Sequence, residues 1–190
     1  RVSSLDYDAL LKATQILTKD ATEVERAFRL ACFNVLARNR DDHAKNVSFR
    51  LDDATGQWTL APAYDLTFSS GPGGEQSMTV MGEGRAPNAG HLGALAKKHD
   101  LKRGLSIIAE VQAVVADWAQ HADAAGLTKK AAKLIGDRIA PLAVKVTKPK
   151  ATSKPKAKAE PKPKAQPKAK GTAAAKTTAK PGAKSRKGSR

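Results

Sequence analysis

An eight-residue stretch, "NRDDHAKN" at positions 39–46, places charged and amide side chains directly after an apolar run. Asp41 and Asn46 in this stretch are five positions apart, and Asp65 follows in "YDL" after two short strand-like runs. Phosphoryl transfer needs an Asp that orients the attacking hydroxyl, an Asn five residues later that holds one metal ion, and a second Asp beyond a hairpin. The spacing therefore indicates phosphoryl-transfer chemistry.

Each residue of this stretch has a simpler interpretation when taken alone. A single His after a helix is usually a structural hydrogen-bonding residue, a pair of Asp at a helix end is usually a solvated turn, and Asn46 could simply begin a strand. For Asp42 we favour a structural role, as a carboxylate that caps the loop or pairs with Arg38 or Arg40. The combination of residues is more specific than its members.

The sequence predicts two helices before this loop. The segment "TEVERAFRLACFNVLARN" has apolar residues at spacings of three, four and seven, which predicts a buried amphipathic helix. Thr22 followed by Glu25 matches a capping box and predicts its start. A weaker helical pattern comes before it, with Tyr7, Leu10, Leu11 and Thr14.

After the loop, "NVSFRL" and "QWTLAP" flank the turn-forming "DDATG" and predict a small β-hairpin. The stretch 63–90 is so rich in Gly and Pro that we expect no regular structure there until about His91. "GPGGEQ" and "GEGRAP" within it do not match a phosphate cradle, and a mobile, substrate-facing loop is the better interpretation. A long helix is predicted on the face Leu105, Ile108, Val111, Val115 and Trp118, and "TKKAAKLIGDRIAPL" predicts a shorter closing helix.

Charge divides the chain into two regions. Residues 148–190 hold fifteen Lys or Arg against one acidic residue, Glu160, and so carry most of the net charge of +16; all eight aromatic residues lie before position 148. We therefore predict a folded domain over 1–145 and a disordered Lys/Pro/Ala-rich tail over 146–190. The tail resembles a histone tail and could bind nucleic acid without sequence preference, or it could be a solubilising extension.

The sequence also excludes some classes of protein. It has no run of 18 apolar residues for a membrane span and no apolar region typical of a secretory signal near its start. The single Cys32 cannot form an internal disulfide, and we expect it to be a small core residue. These features predict a cytoplasmic protein.

Four segments together resemble the C-terminal lobe of HipA-type serine/threonine kinases, the toxins of HipBA toxin–antitoxin modules. They are "FRLACFNVLARNRDDHAKNVSF", "LAPAYDLTFS", "SMTVMGEG" and "EVQAVVADWAQHADAAGL". The resemblance covers about residues 1 to 140 and is strongest at N-x-D-D-H-x-K-N and P-A-Y-D-L. It implies a mainly α-helical α+β fold, a kinase-like C-lobe with a small β-hairpin next to the catalytic loop.

By this resemblance Asp41 is the catalytic Asp, and Asn46 and Asp65 are magnesium ligands that also contact the nucleotide. The same match places three residues near the phosphates of ATP: His43, Lys45 and Tyr64. The resemblance also implies a protein substrate, such as an aminoacyl-tRNA synthetase, and a HipB-like DNA-binding antitoxin as partner.

A complete kinase also needs a strand Lys on the nucleotide phosphates and a loop that covers them, and the sequence supplies neither. The chain also begins with Arg1 instead of Met. We therefore expect either a fragment of a full HipA-like kinase that is inactive as an isolated chain, which we favour, or a degenerate lobe. The alternative function is nucleic-acid binding through the basic tail, on an inactive kinase-derived scaffold.

Overall fold

The computed structural model describes residues 5–142. The predicted domain boundary and the predicted basic tail lie outside these residues. The described chain is mainly helical with a small amount of strand, as the α+β prediction requires. Its elements are β1 Leu5–Asp6, α1 Tyr7–Thr18, α2 Ala21–Leu36, β2 Phe49–Leu51, β3 Trp58–Leu60, β4 Met78–Thr79, α3 Ala89–Lys98, α4 Gly104–Ala116, α5 Trp118–Ala124 and α6 Lys129–Ile139. Three short 3₁₀ turns span Ala44–Asn46, Pro72–Gly74 and Ala140–Leu142.

The first two helices supply much of the core. The four apolar-face residues predicted for α1 are all buried: Tyr7, Leu10, Leu11 and Thr14. Helix α2 buries its stripe on the same core, including Phe28 and Cys32. The capping prediction was wrong, because α2 begins after Asp20, whose side chain accepts the Thr22 amide at 2.7 Å. Asp is as good an N-cap residue as Thr, and here it lies two positions earlier than the predicted cap.

The described residues form two small sheets of two strands each. Strands β2 and β3 form the predicted antiparallel hairpin, with Phe49 opposite Leu60. Strand β4 lies inside the stretch expected to be irregular, where it pairs in parallel with β1 through Leu5 and Met78. A two-residue strand has too short an alternation to be seen in a sequence, which explains why the prediction missed it.

Helices α3 to α6 complete the core. Helix α3 begins at Ala89 after the N-cap Asn88, whose side chain accepts the Gly90 amide at 2.9 Å. The long helix predicted through Trp118 is two helices, α4 and α5, and its first predicted core residue, Leu105, is 72% exposed. Helix α4 buries Ile107 in its place, and the predicted Ile108, Val111 and Val115 are buried. Within residues 5–142, no helix is both long and apolar enough to cross a membrane.

Candidate active site

Asn46 brings three of the predicted site residues together. It is the last residue of a 3₁₀ turn that follows the end of α2, and its backbone N–H donates to the His43 carbonyl at 2.9 Å. Its side-chain Nδ2 donates to the Asp41 carbonyl at 3.1 Å and to the Asp65 carboxylate Oδ2 at 2.8 Å. The structure therefore places the backbone of Asp41, the amide of Asn46 and the carboxylate of Asp65 in one contiguous group.

Asp65 adopts an unusual backbone conformation. Its φ of 53° lies in the left-handed region, which Asp enters more readily than most residues. The buried side chain of Asn39 donates to the Asp65 carbonyl at 3.3 Å and so helps to hold this conformation. Asp65 itself is exposed, and its carboxylate is accessible to a ligand.

Tyr64 and Lys45 are also adjacent. The Tyr64 hydroxyl donates to the Lys45 carbonyl at 2.8 Å and lies 2.7 Å from the Ser48 hydroxyl. These contacts join the 3₁₀ turn to the segment that follows β3. Because the contact uses the backbone of Lys45, the exposed Lys45 side chain remains available for another partner.

His43 has a buried atom without a hydrogen bond. Its Nδ1 is inaccessible to solvent and has no partner among the described residues. A buried polar atom of this kind is uncommon, and it often marks a position that water or a ligand completes. The location of His43 near a bound nucleotide stays a prediction.

Asp42, in contrast, is a fully buried structural residue. Its Oδ2 accepts hydrogen bonds from the Tyr7 hydroxyl at 2.5 Å and from Gln76 Nε2 at 2.9 Å. Its Oδ1 accepts from the backbone N–H groups of Ser77 at 3.0 Å and Met78 at 3.2 Å. The structural interpretation of Asp42 is therefore confirmed. Of the two alternatives, pairing with Arg38 or Arg40 is not formed within residues 5–142.

The burial of this carboxylate perturbs two pKa values. Desolvation raises the pKa of Asp42 above its usual value, although the four hydrogen bonds act in the opposite direction. Burial, with the nearby charge of Asp42, raises the pKa of Tyr7 well above its usual value. Tyr7 therefore keeps its proton and acts as a hydrogen-bond donor to Asp42.

A chain of buried hydrogen bonds continues from Tyr7 to the candidate site. Asn34 Nδ2 donates to the Tyr7 hydroxyl at 2.8 Å, and Asn39 Nδ2 donates to Asn34 Oδ1 at 3.1 Å. Asn39 in turn contacts the Asp65 carbonyl. No role was predicted from the sequence for Asn34 or Asn39. The available signal was a polar Asn inside the apolar stripe of α2, in "CFNVL".

Gln76 fixes the far side of the loop. Its Nε2 donates to the Asn39 carbonyl at 2.8 Å as well as to Asp42. The neighbouring Ser77 donates from its backbone N–H to the Arg40 carbonyl at 3.1 Å. The end of the "GPGGEQ" stretch is therefore hydrogen-bonded to the loop of residues 39–46.

The donor set suits magnesium bound together with a phosphate ligand. Within residues 5–142, no group of three or more His, Cys, Asp or Glu side chains could hold a metal ion. Mg²⁺ is commonly held by one or two protein oxygen ligands, with water and substrate phosphates completing its shell. The side-chain oxygens of Asn46 and Asp65 are such ligands, so the residues fit a metal–nucleotide complex better than a protein-only metal site.

Fold and site together define a mainly helical α+β domain that presents an Asp–Asn–Asp set beside a β-hairpin. Residues 2–145 match the family described as the HipA-like C-terminal domain. The chain belongs to this family, and the resemblance seen in the sequence is confirmed. No curated protein matches the chain at a significant level.

A solved structure has the same fold. It is described as the Shewanella oneidensis MR-1 toxin–antitoxin system HipA, HipB and its operator DNA complex, and its HipA chain matches with a TM-score of 0.56 and 18% sequence identity. The match covers 73% of this chain and 34% of that chain. The present chain therefore spans about a third of the HipA chain that it matches.

Proposed function

We propose that the chain is the C-terminal catalytic lobe of a HipA-like, ATP-dependent protein serine/threonine kinase, the toxin of a type II toxin–antitoxin module. The observation that carries the proposal is the double contact of Asn46, which joins the backbone of Asp41 to the carboxylate of Asp65. This contact supports the proposal, because phosphoryl transfer in a kinase-like C-lobe uses an Asp base together with metal-binding Asn and Asp side chains.

In this proposal Asp41 acts on the substrate hydroxyl. Its exposed carboxylate, in contrast to that of Asp42, can reach a substrate, orient the attacking hydroxyl and accept its proton. Asn46 and Asp65 hold Mg²⁺ on the nucleotide. The bound ion would neutralise charge on the β- and γ-phosphates of ATP.

Three further residues surround the phosphates. The exposed Lys45 supplies a positive charge, and the hydroxyl of Tyr64 and the ring of His43 lie on the same loop assembly. Fixed donors stabilise the charge that develops on the transferred phosphoryl group.

The rest of a kinase active site has to come from outside the described residues. Residues 5–142 contain two sheets of two strands each, so they supply no strand-rich nucleotide-covering lobe. The HipA chain that this chain resembles is about three times the length of the match. We therefore assign ATP covering to the remainder of the full-length protein.

Partners are proposed on the same basis. The matching HipA chain is described in a complex with HipB and operator DNA. We extend to this protein a HipB-like DNA-binding antitoxin. From the family resemblance, the proposed substrate is a protein of the translation apparatus, for which an aminoacyl-tRNA synthetase is the first candidate to test.

The test is the Asp41→Asn variant of the full-length protein, assayed for transfer of the γ-phosphoryl group of labelled ATP to protein. We expect the transfer rate to fall about a hundredfold or more, because the variant loses the proton acceptor. The thermal unfolding midpoint should stay at the wild-type value, since the Asp41 side chain is exposed. Wild-type transfer by Asp41→Asn would contradict the proposal.

A further inference from the structure

A cavity of about 460 Å³ lies between the end of α2, the segment that follows Asp65, and helices α4, α5 and α6. Most of its wall is apolar. Three aromatic side chains line it, those of Phe33, Phe68 and Trp118, and each of the three is only partly buried. The cavity therefore has aromatic surface that the fold of residues 5–142 leaves uncovered.

The cavity extends from the surface to the hydrophobic core. Its wall includes Val115 and Ile139, which are buried residues of the core. It also includes Val114 and Leu66, whose side chains are 54% and 41% exposed. A ligand can therefore enter from solvent, and the apolar part of the ligand would leave water when it binds.

The Trp118 ring is a fixed part of the cavity wall. Its Nε1 donates to the Ala132 carbonyl at 2.8 Å, which joins α5 to α6. A Cβ on Gly136 would lie 3.1 Å from Trp118 Cδ1, so the absence of a side chain there lets the ring pack closely on α6. The ring is positioned without a ligand, and binding would not have to order it.

Two polar side chains at the cavity are free to form a hydrogen bond. The imidazole of His121 on α5 and the hydroxyl of Thr67 belong to residues that line the cavity and are exposed. Among residues 5–142, neither side chain has a hydrogen-bond or ion-pair partner. A mainly apolar cavity with a few polar groups is the usual composition of a small-molecule site.

The volume of the cavity limits what can bind there. One turn of an α-helix with its side chains occupies about 500 Å³, given a pitch of about 5.4 Å and a diameter of about 11 Å. The cavity is no larger than this, so it cannot hold a partner helix. Small-molecule sites have volumes of about 300 to 1,000 Å³, and the cavity lies within this range.

We propose that this cavity binds a small, flat aromatic molecule that carries one hydroxyl or similar polar substituent. The ring system of the ligand would lie among Phe33, Phe68 and Trp118, because pairs of aromatic rings attract each other beyond the burial of their area. The polar substituent would face His121 as its hydrogen-bond partner. This partner would give the ligand a preferred orientation in an otherwise apolar cavity.

The cavity is next to the candidate active site along the chain. Leu66 and Phe68 line the cavity, and Leu66 is joined to Asp65 by a single peptide bond. A bound ligand would therefore contact the segment that leads out of the candidate site. The proposed binding does not require phosphoryl transfer, and its test measures binding alone, so it stands or fails separately from the proposed kinase activity.

The test is an NMR titration of the ¹⁵N-labelled 190-residue chain with 2-naphthol, a fused two-ring aromatic molecule with one hydroxyl. The chain has two Trp residues, and the Trp58→Phe variant assigns their indole N–H signals. The Trp118 signal should move and reach saturation below about 1 mM probe. The Trp58 signal should stay in place, because Trp58 lies on β3 and does not line the cavity.

Val114→Trp tests whether the probe occupies the cavity. It should weaken binding about tenfold or more, because the larger ring at the edge of the cavity takes up volume that the probe needs. Leu105→Trp is the matched control: it adds the same side chain to the same helix, at a position that is 72% exposed and does not line the cavity. Its affinity should equal the wild-type value. Both positions are exposed, so both variants should fold, and circular dichroism checks this.

His121→Leu tests the polar contact. It should weaken the binding of 2-naphthol about two- to tenfold, the usual effect of one hydrogen bond. It should not weaken the binding of naphthalene, which lacks the hydroxyl. Gln120→Leu is the control, since Gln120 is an exposed neighbour on α5 that does not line the cavity. It should leave the affinity for both probes unchanged.

Four results would overturn the inference. The first is a titration in which both Trp signals move together without saturation, and the second is wild-type affinity in Val114→Trp. The third is an equal loss of affinity for 2-naphthol and naphthalene in His121→Leu, which would remove the assigned hydrogen bond. The fourth is a Trp118 signal that moves when the chain is diluted without probe, which would show that a second copy of the chain covers the cavity.

Discussion

Asn46 and Asp65 are nineteen positions apart in the chain, and their side chains are hydrogen-bonded, with Nδ2 of Asn46 donating to Oδ2 of Asp65 at 2.8 Å. The β2–β3 hairpin lies between them and returns the chain to the loop. The two residues that the sequence assigned to metal binding are thus in direct contact. This contact turns two separate motifs into one candidate site.

Asp65→Asn in the full-length protein should greatly weaken phosphoryl transfer and raise the Mg²⁺ concentration needed for half-maximal transfer. The amide keeps the shape of the side chain but loses the negative charge that attracts the ion. A magnesium titration of the transfer rate measures this. Asp53→Asn, in the exposed turn of the hairpin, is the control and should behave as wild type. An unchanged magnesium requirement in Asp65→Asn would contradict the metal assignment.

Asp42→Asn should lower the free energy of unfolding by about 1–3 kcal/mol. Both oxygens of the buried carboxylate accept hydrogen bonds, Oδ2 from Tyr7 and Gln76 and Oδ1 from the Ser77 backbone. Asn has only one acceptor oxygen, so its NH₂ group would face hydrogen-bond donors at the other position. Urea unfolding of the 190-residue chain measures the loss. Asp41→Asn is the matched control, because it makes the same chemical change at an exposed neighbour and should leave the unfolding free energy at the wild-type value. Equal stability of the two variants would contradict the structural role of Asp42.

Asn39→Ala should destabilise the fold by about 1–3 kcal/mol. It removes the Asn39 Nδ2 donor, which is hydrogen-bonded to Asn34 Oδ1 in a buried contact and to the Asp65 carbonyl in a partly buried one. In the full-length protein we also expect transfer activity to fall although no reacting group has changed, because Asp65 loses a support of its left-handed conformation. Full activity with wild-type stability would show that the buried chain of hydrogen bonds does not position Asp65.

Asp8 should make the fold sensitive to acid. The hydrogen bond from Lys12, together with those from Lys98 and His99, lowers the pKa of Asp8 well below its usual value. A depressed pKa contributes stability that is present above the unfolded-state value of about 3.9 and is lost as pH falls below it. Asp8→Asn should therefore reduce stability near pH 6, and the difference from wild type should shrink near pH 3. A difference that is constant across this range would contradict the assignment.

Cys32 should be unreactive in the native protein. It is fully buried, and burial raises the pKa of its thiol to about 12, so little of the reactive thiolate is present at neutral pH. A colour-forming disulfide reagent at pH 8 should label it only as fast as the chain unfolds. Because the sequence has a single Cys, the unfolded chain in denaturant gives the reference of one thiol. Rapid labelling in the native state would show an open path to the core.

The sequence predicted those parts of the fold whose signal is local. The buried face of α1, the hairpin and the approximate positions of α2 and α6 follow from periodicity and turn residues, and they are confirmed. Helix α3 was not predicted. The start of α2, the two-residue strand β4 and the break between α4 and α5 depend on single caps and on tertiary contacts. Periodicity carries no information about these.

For the site, the sequence predicted residue types at motif spacing but not what supports them. The contact between Asn46 and Asp65 could be expected from the pattern of phosphoryl-transfer residues. The roles of Tyr7, Gln76 and Asn34 could not, because they depend on pairs that are 27 to 35 positions apart or on burial that becomes visible only in the fold. Such long-range hydrogen bonds leave no periodic trace in a sequence.

The alternation of an exposed Asp41 and a buried Asp42 has an evolutionary consequence. A single base change converts an Asp codon to an Asn codon at either position, yet one change should affect the proposed chemistry and the other the fold. A descendant of this gene could therefore lose phosphoryl transfer in one mutational step and keep a stable domain. Selection could then retain that domain for binding alone.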